Sequence, residues 1–278
     1  MQKFKLCAFA DEAGDSLAEQ IKSMKENSIS LLEIRNVDNC NVSDLTVTQA
    51  KEIKQSLNQN GISVFSLGSP YGKINIDDEF DAHLEKFKKS LEIADILEAK
   101  SIRLFSFYIP KDKKAESYTD KVLERLNKFV SVSKNSDVVL CHENEKGIFG
   151  DTAERCEIIH QNIPELKAVF DPANFIQCGV ETLSAFKKLS PYIHYMHIKD
   201  SLKNGTIVPS GKGIGNIKEL ISLYKGEVLT LEPHLYEFSG LKALEQAGDE
   251  SSILTTYKNN REAFDAAVNA LKNILNQR

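Results

Sequence analysis

Short apolar runs, rich in β-branched and aromatic residues, alternate along the chain with longer stretches whose apolar positions recur at helical spacing. The short runs fall at 4–10, 28–34, 62–67, 101–107, 137–143, 166–171, 193–199 and 228–233. Several are almost continuously apolar, as expected of parallel strands covered on both faces. Helical spacing predicts helices over 17–27, 46–61, 79–99, 118–135, 151–162, 180–189, 216–225 and 260–278. Thr46 followed by Gln49 reads as a capping box, and Gly61 as the stop of the same helix. Asn216 with Glu219 reads as a second capped start. Eight strand–helix units in order predict an α/β fold, a (β/α)8 TIM barrel, with 1–278 forming one domain. The rival is an open doubly wound sheet. Its glycine-rich phosphate loop is missing, because the first strand is followed by AFADEAGDS and no strand is followed by GxxxxGK[ST].

The polar residues sharpen this picture. Strand after strand ends in a group that can bind a metal or carry a proton. Glu33 and Arg35 close the second, and His142 to Glu145 the fifth. Asp171 closes the sixth, with Asn174 just beyond. His197, Lys199 and Asp200 close the seventh, and Glu232 and His234 the eighth. In a barrel these ends meet at one mouth. Three carboxylates crowded there repel one another unless a cation compensates. Glu143, Asp171, His197 and Glu232 are therefore expected to hold one divalent ion, and oxygen donors with one imidazole suit Mn²⁺, Mg²⁺, Zn²⁺ or Co²⁺.

Strand alternation puts His194 on the face opposite His197, and turns His142 away from Glu143. For His142 a packing role and a substrate contact both stay open. His83 and His160 lie in helical patterns and are expected to pack. The glycine-rich stretch PSGKGIGNI at 209–217 is either a tight turn or a loop offering N–H groups to a phosphate or hydroxyls. Lys212 within it either reaches the mouth or faces solvent, and is carried as a substrate-binding candidate.

Composition narrows the partners. The 278 residues are 41% hydrophobic and carry a formal charge of -5. No basic run marks a nucleic-acid face. Five scattered cysteines form no CxxC pair, which fits free thiols in a reducing compartment. No window approaches a membrane span and the N-terminus lacks a signal-like apolar segment, so a cytoplasmic location is expected.

The segments HENEKGIFGDT (142–152), FDPANF (170–175), HIKD (197–200), GKGIGNI (211–217) and LEP (231–233) resemble the xylose-isomerase-like barrel superfamily, in particular its sugar phosphate isomerase/epimerase branch. The resemblance covers nearly the whole chain. It implies that Glu143, Asp171, His197 and Glu232 are the metal ligands, with Mn²⁺ the first expectation for the ion. It also implies that Glu143 and Glu232 act as proton carriers on opposite sides of a small carbohydrate, the expected partner, and that a homo-oligomer is possible. Two positions depart from the ketose 3-epimerases. Asn174 stands where a histidine is usual, and Lys199 and Asp200 follow His197 in place of an arginine. The HIKD form resembles the inosose dehydratases.

The function expected is a metal-dependent isomerase or epimerase of a small sugar or sugar phosphate, working through an enediolate. Lys199 is a candidate to bind a hydroxyl or supply a proton, Glu33 to hold a distal hydroxyl, and Asn174 to orient water or substrate. The alternatives are a dehydratase of a keto-polyol and a non-catalytic metal- or carbohydrate-binding barrel. An abasic-site endonuclease is disfavoured by the acidic charge and by a total of six histidines.

Overall fold

The computed structural model describes residues 4–239, 253 and 256–277. Eight parallel strands close into a barrel: β1 (Lys5–Ala8), β2 (Leu31–Ile34), β3 (Ser63–Gly68), β4 (Ser101–Leu104), β5 (Val139–Glu143), β6 (Lys167–Phe170), β7 (Ile193–Ile198) and β8 (Val228–Leu231). Each pairs with its sequence neighbours, and β1 pairs with β8 to close the ring. All eight coincide with the expected runs to within a few residues at their ends, seven of them trimmed and β3 running one residue further, to Gly68.

The helices are α1 (Leu17–Glu26), α2 (Val47–Gln59), α3 (Asp81–Leu97), α4 (Thr119–Ser133), α5 (Ala153–Asn162), α6 (Pro172–Gln177), α7 (Thr182–Leu189), α8 (Ile217–Leu223) and α9 (Asn260–Asn276). The Thr46–Gln49 capping box forms in both directions. The Asn216 cap does not. Its backbone is left-handed at φ 55°, and its amide instead donates to Thr182 Oγ1 at 3.0 Å. The six-residue α6 is not foreseen, being too short to show a helical period. Among the described residues no helix is long and apolar enough to cross a membrane.

Two-residue alternation sorts the strand side chains. Leu32, Ile34, Ile102, Leu104, Leu140, Met196, Ile198, Leu229 and Leu231 face outward and join the large apolar layer beneath the helices. A separate apolar cluster of Cys7, Phe65, Cys141, Val169, Tyr195 and Val228 plugs the barrel interior. Two residues further along the same strands, the inward positions turn polar: Glu143 after Cys141, Asp171 after Val169, His197 after Tyr195.

Two register shifts tune this interior. The β2–β3 pairing passes from Leu32↔Val64 to Glu33↔Ser66, leaving Phe65 as the extra residue. The β6–β7 pairing passes from Ala168↔Ile193 to Val169↔Tyr195, leaving His194 extra. The two extra rings, Phe65 and His194, stack at 6.2 Å. The shifts bring Tyr195 to both Glu33 and Ser66, with its hydroxyl 2.7 Å from Glu33 Oε1 and 3.3 Å from Ser66 Oγ.

Candidate metal centre

Glu143, Asp171, His197 and Glu232 converge, with one donor atom of each lying within 4.8 Å of the others, and all four side chains are buried. All four fall on inward positions at or just past strand ends. Asp171 is also the N-cap of α6, where Oδ1 accepts the Asn174 N–H at 2.9 Å and Pro172 starts the helix. The Asn144 side chain grips the Asp171 backbone from both sides, at 2.8 and 2.9 Å. Oδ1 is thus committed, while Oδ2 is buried without a hydrogen bond and faces the Lys199 ammonium at 2.9 Å.

The His197 ring is held at both nitrogens. Nδ1 lies 2.8 Å from Glu143 Oε1 and 3.2 Å from Glu232 Oε2, and Nε2 lies 3.2 Å from Glu33 Oε2. Nδ1 therefore looks into the cluster, and Glu33 orients the ring from the other side. Burial alone would depress the imidazole pKa, but Glu143, Glu33 and Glu232 outweigh it and hold the pKa well above the usual value. Lys199 is likewise buried and raised by Asp171, Glu232 and Glu145. The Asp171 carboxyl is pushed up to about 7 by burial, against the pull of Lys199. Burial would also raise Glu232, but Lys199 and His197 bring it well below the usual carboxylate range.

The donor set fits a divalent cation. It offers three hard carboxylate groups and one imidazole nitrogen, all buried, with one donor atom of each within 4.8 Å of the others. The His197 imidazole and the Lys199 ammonium, both raised by their carboxylate neighbours, set positive charge against that cluster.

Other expected site residues stand elsewhere. Glu33 is fully buried beneath His197, bonded to Tyr195 and the imidazole, and so is not placed to hold a distal hydroxyl. His142 points outward into the helix layer. There Nε2 meets Ser106 Oγ at 2.9 Å and its ring lies 5.7 Å from that of His160, so strand parity removes it from substrate. Lys212 is exposed. The glycine N–H groups of the loop around it converge on a carboxylate of the same chain. Gly211, Gly213 and Gly215 donate them to the Asp200 carboxylate at 2.9, 3.0 and 2.9 Å. A Cβ at Gly213 or Gly215 would meet Asp200 Oδ1 at 2.3 or 2.6 Å, so the wrap requires glycine at both. Asn174 remains at the centre, its amide 3.4 Å from Glu143 Oε1 and 3.0 Å from the Asn144 carbonyl.

Two arginines that residue type alone leaves open to solvent are buried here. Arg35 donates to Asp11 through Nε and Nη2, to Glu12 through Nη2, and to Glu232 Oε1 at 3.1 Å. Arg103 donates to Glu143 Oε2 at 3.1 Å. Both guanidinium groups lie over the Phe9 ring, at 4.4 and 5.2 Å. Parity could have found them, since Arg35 shares the inward face with Glu33, as Arg103 does with Ser101.

Residues 21–257 match the family described as xylose isomerase-like TIM barrel. The chain belongs to that family. No curated protein matches its sequence. Among solved structures, this xylose isomerase-like barrel is similar to the IOLI protein with a binding zinc atom, at 15% identity over 98% of each chain and a TM-score of 0.77. It is similar to a D-tagatose 3-epimerase-like protein, at 17% identity over 98% of this chain and 97% of that one, with a TM-score of 0.72. It is also similar to Bacillus anthracis AsbF, described as the probable 3-DHS dehydratase of petrobactin synthesis, at 16% identity over 97% and 98% and a TM-score of 0.73. At such identities the likeness speaks for the fold.

Proposed function

We propose that this xylose isomerase-like barrel is a divalent-metal-dependent isomerase or epimerase. Its substrate is a small sugar or sugar phosphate, processed through an enediolate. The observation that carries the reading is the paired setting of Glu143 and Glu232. Each turns one oxygen toward His197 Nδ1, and each has its other oxygen held by a buried arginine. Two carboxylates on different strands of one mouth can remove a proton from a carbon and return one from another direction. A divalent ion held by Glu143, Asp171, His197 and Glu232 would polarise the substrate carbonyl and stabilise the enediolate. Return of the proton to the opposite face of the same carbon gives an epimer, and return to the neighbouring carbon interconverts aldose and ketose. Asn174 keeps Glu143 in place, and Asn144 keeps Asp171.

A second reading, a dehydratase of a keto-polyol, is favoured by Lys199. Its ammonium lies 2.9 Å from Asp171 and 3.1 Å from Glu232. One carboxylate takes the C–H proton, the neighbouring C–O bond breaks, and Lys199 protonates the departing hydroxyl to water. Epimerase-like and dehydratase neighbours both share the fold.

The test is solvent-deuterium exchange into a panel of ketoses, aldoses and their phosphates, with and without metal. Metal-dependent label, lost in Glu143→Gln, supports proton transfer. An ultraviolet-absorbing unsaturated product selects the dehydratase. Full activity in Glu143→Gln removes that residue from the proton-transfer role.

A further inference from the structure

The two buried arginines differ in how their donors are used. Arg35 has all three nitrogens engaged: Nε, Nη1 and Nη2 make four hydrogen bonds to Asp11, Glu12 and Glu232. Arg103 is equally buried but sparsely bonded. Nη1 donates to Glu143, and Nη2 reaches the Ser69 carbonyl at 3.4 Å, the long end of the range. Its Nε has no hydrogen-bond partner among the described residues. A guanidinium carries five N–H donors, and a buried donor left unmade costs about 1–3 kcal/mol. An unsatisfied group of this kind in a native interior calls for an explanation.

Its location supplies one. Nη1 lies 3.1 Å from Glu143 Oε2 and 3.7 Å from Glu232 Oε1, so the guanidinium spans the two carboxylates proposed to carry the proton. It reaches them from the side opposite His197, which touches the other oxygen of each. The Phe9 and Phe105 rings support it at 5.2 and 4.8 Å and hold it in place without using its donors. The Phe9 ring fits because Gly68 has no Cβ, which would sit 2.4 Å from that ring.

We infer that Arg103 is a catalytic residue that contacts substrate: its spare N–H groups bind an oxygen of the polyhydroxylated carbonyl compound lying between Glu143 and Glu232. The inference rests on the proton-transfer reading of those glutamates. Negative charge grows on the substrate oxygens as the C–H proton leaves, and a preorganised guanidinium there stabilises it, as oxyanion donors do. Arg103 thereby acts on the reacting oxygens, whereas Arg35 only fixes Glu232.

The test uses the metal-loaded protein and glycolohydroxamate, whose planar pair of oxygens imitates an enediolate. Calorimetry gives the affinity of wild type, Arg103→Gln and Arg103→Lys for this probe, and a separate titration gives their metal affinity. The expected result is probe binding at least about 100-fold weaker in Arg103→Gln, the loss typical of one oxyanion donor, with metal affinity changed only a few-fold. Arg103→Lys keeps the counter-charge and guards against misfolding of the first variant. It is expected to hold metal normally and still lose most of the probe affinity.

Equal probe binding in all three proteins overturns the inference. So does a parallel loss of metal and probe, which would make Arg103 a counter-ion for Glu143 and Glu232, and so does a wild type that fails to bind the probe. Solvent-deuterium exchange keeps the two ideas apart. Exchange that is insensitive to Arg103 leaves the isomerase reading standing without the inference. Arg103-dependent probe binding with no exchange across the sugar panel leaves the inference standing without the isomerase.

Discussion

Glu33→Gln is the perturbation that isolates how His197 is prepared for a metal. Glu33 is fully buried, accepts the Tyr195 hydroxyl at 2.7 Å and faces His197 Nε2 at 3.2 Å. A cation at the centre would take the Nδ1 lone pair, and the one remaining imidazole proton, on Nε2, would then be accepted by Glu33 Oε2. Glutamine conserves volume and hydrogen-bonding reach but removes the charge. If its carbonyl keeps the Tyr195 bond, its amide N–H meets Nε2, moves the imidazole proton to Nδ1 and blocks ligation. If it turns over, Tyr195 must donate to Ser66 instead, 3.3 Å away. Either arrangement costs free energy. Loss of such a partner typically weakens metal binding about 10–100-fold, which is about 1.4–2.7 kcal/mol. Calorimetric titration of the metal-free protein with Mn²⁺ and Zn²⁺, wild type against Glu33→Gln, measures this, with thermal unfolding as a control for folding. Wild-type metal affinity in a folded Glu33→Gln protein would refute the assignment of His197 Nδ1 as a ligand oriented by Glu33.

Three further outcomes are expected. Asp200→Ala strands the N–H groups of Gly211, Gly213 and Gly215, and at about 1.5 kcal/mol or more per charge-assisted bond it should lower stability by several kcal/mol in urea unfolding, with partial recovery in added formate. Metal affinity should fall more than about tenfold per pH unit below 7, because the ion must displace a proton from Asp171, whose carboxyl is pushed up to about 7, and another from His197, whose imidazole is held above its usual value; a flat titration between about pH 5.5 and 7 would contradict this. Burial brings the His160 imidazole down to about 4, so between that value and its ordinary 6.5 the unfolded chain binds more protons. Its contribution is complete above pH 6.5 and lost as pH falls toward 4, on the order of 3 kcal/mol, and the acid slope of unfolding should be shallower in His160→Gln.

The barrel strands are legible because each is a run that must be apolar on both faces, and Glu143, Asp171, His197 and Glu232 are legible because each ends or follows such a run. Parity alone also turns His142 away from the centre. Residues whose place depends on distant partners are harder to read. Arg35 is buried by Asp11 and Glu12, more than twenty positions earlier in the chain, together with Glu232 near its other end. Glu33 is drawn under His197 by register shifts in β2–β3 and β6–β7 that no hydrophobic pattern announces. The PSGKGIGNI loop looks like an anion site because its N–H groups do converge, but the anion is Asp200 of the same chain.

The plug of Cys7, Phe65, Cys141, Val169, Tyr195 and Val228 closes the barrel directly under the carboxylates. An apolar floor polarises weakly, so the field of the charges above it is not absorbed downward and leaves through the mouth. If the carboxylates hold an ion as proposed, that ion would enter along the single open approach at the mouth. Metal capture should be fast in dilute salt and slow markedly once ionic strength shortens the Debye length to a few ångströms.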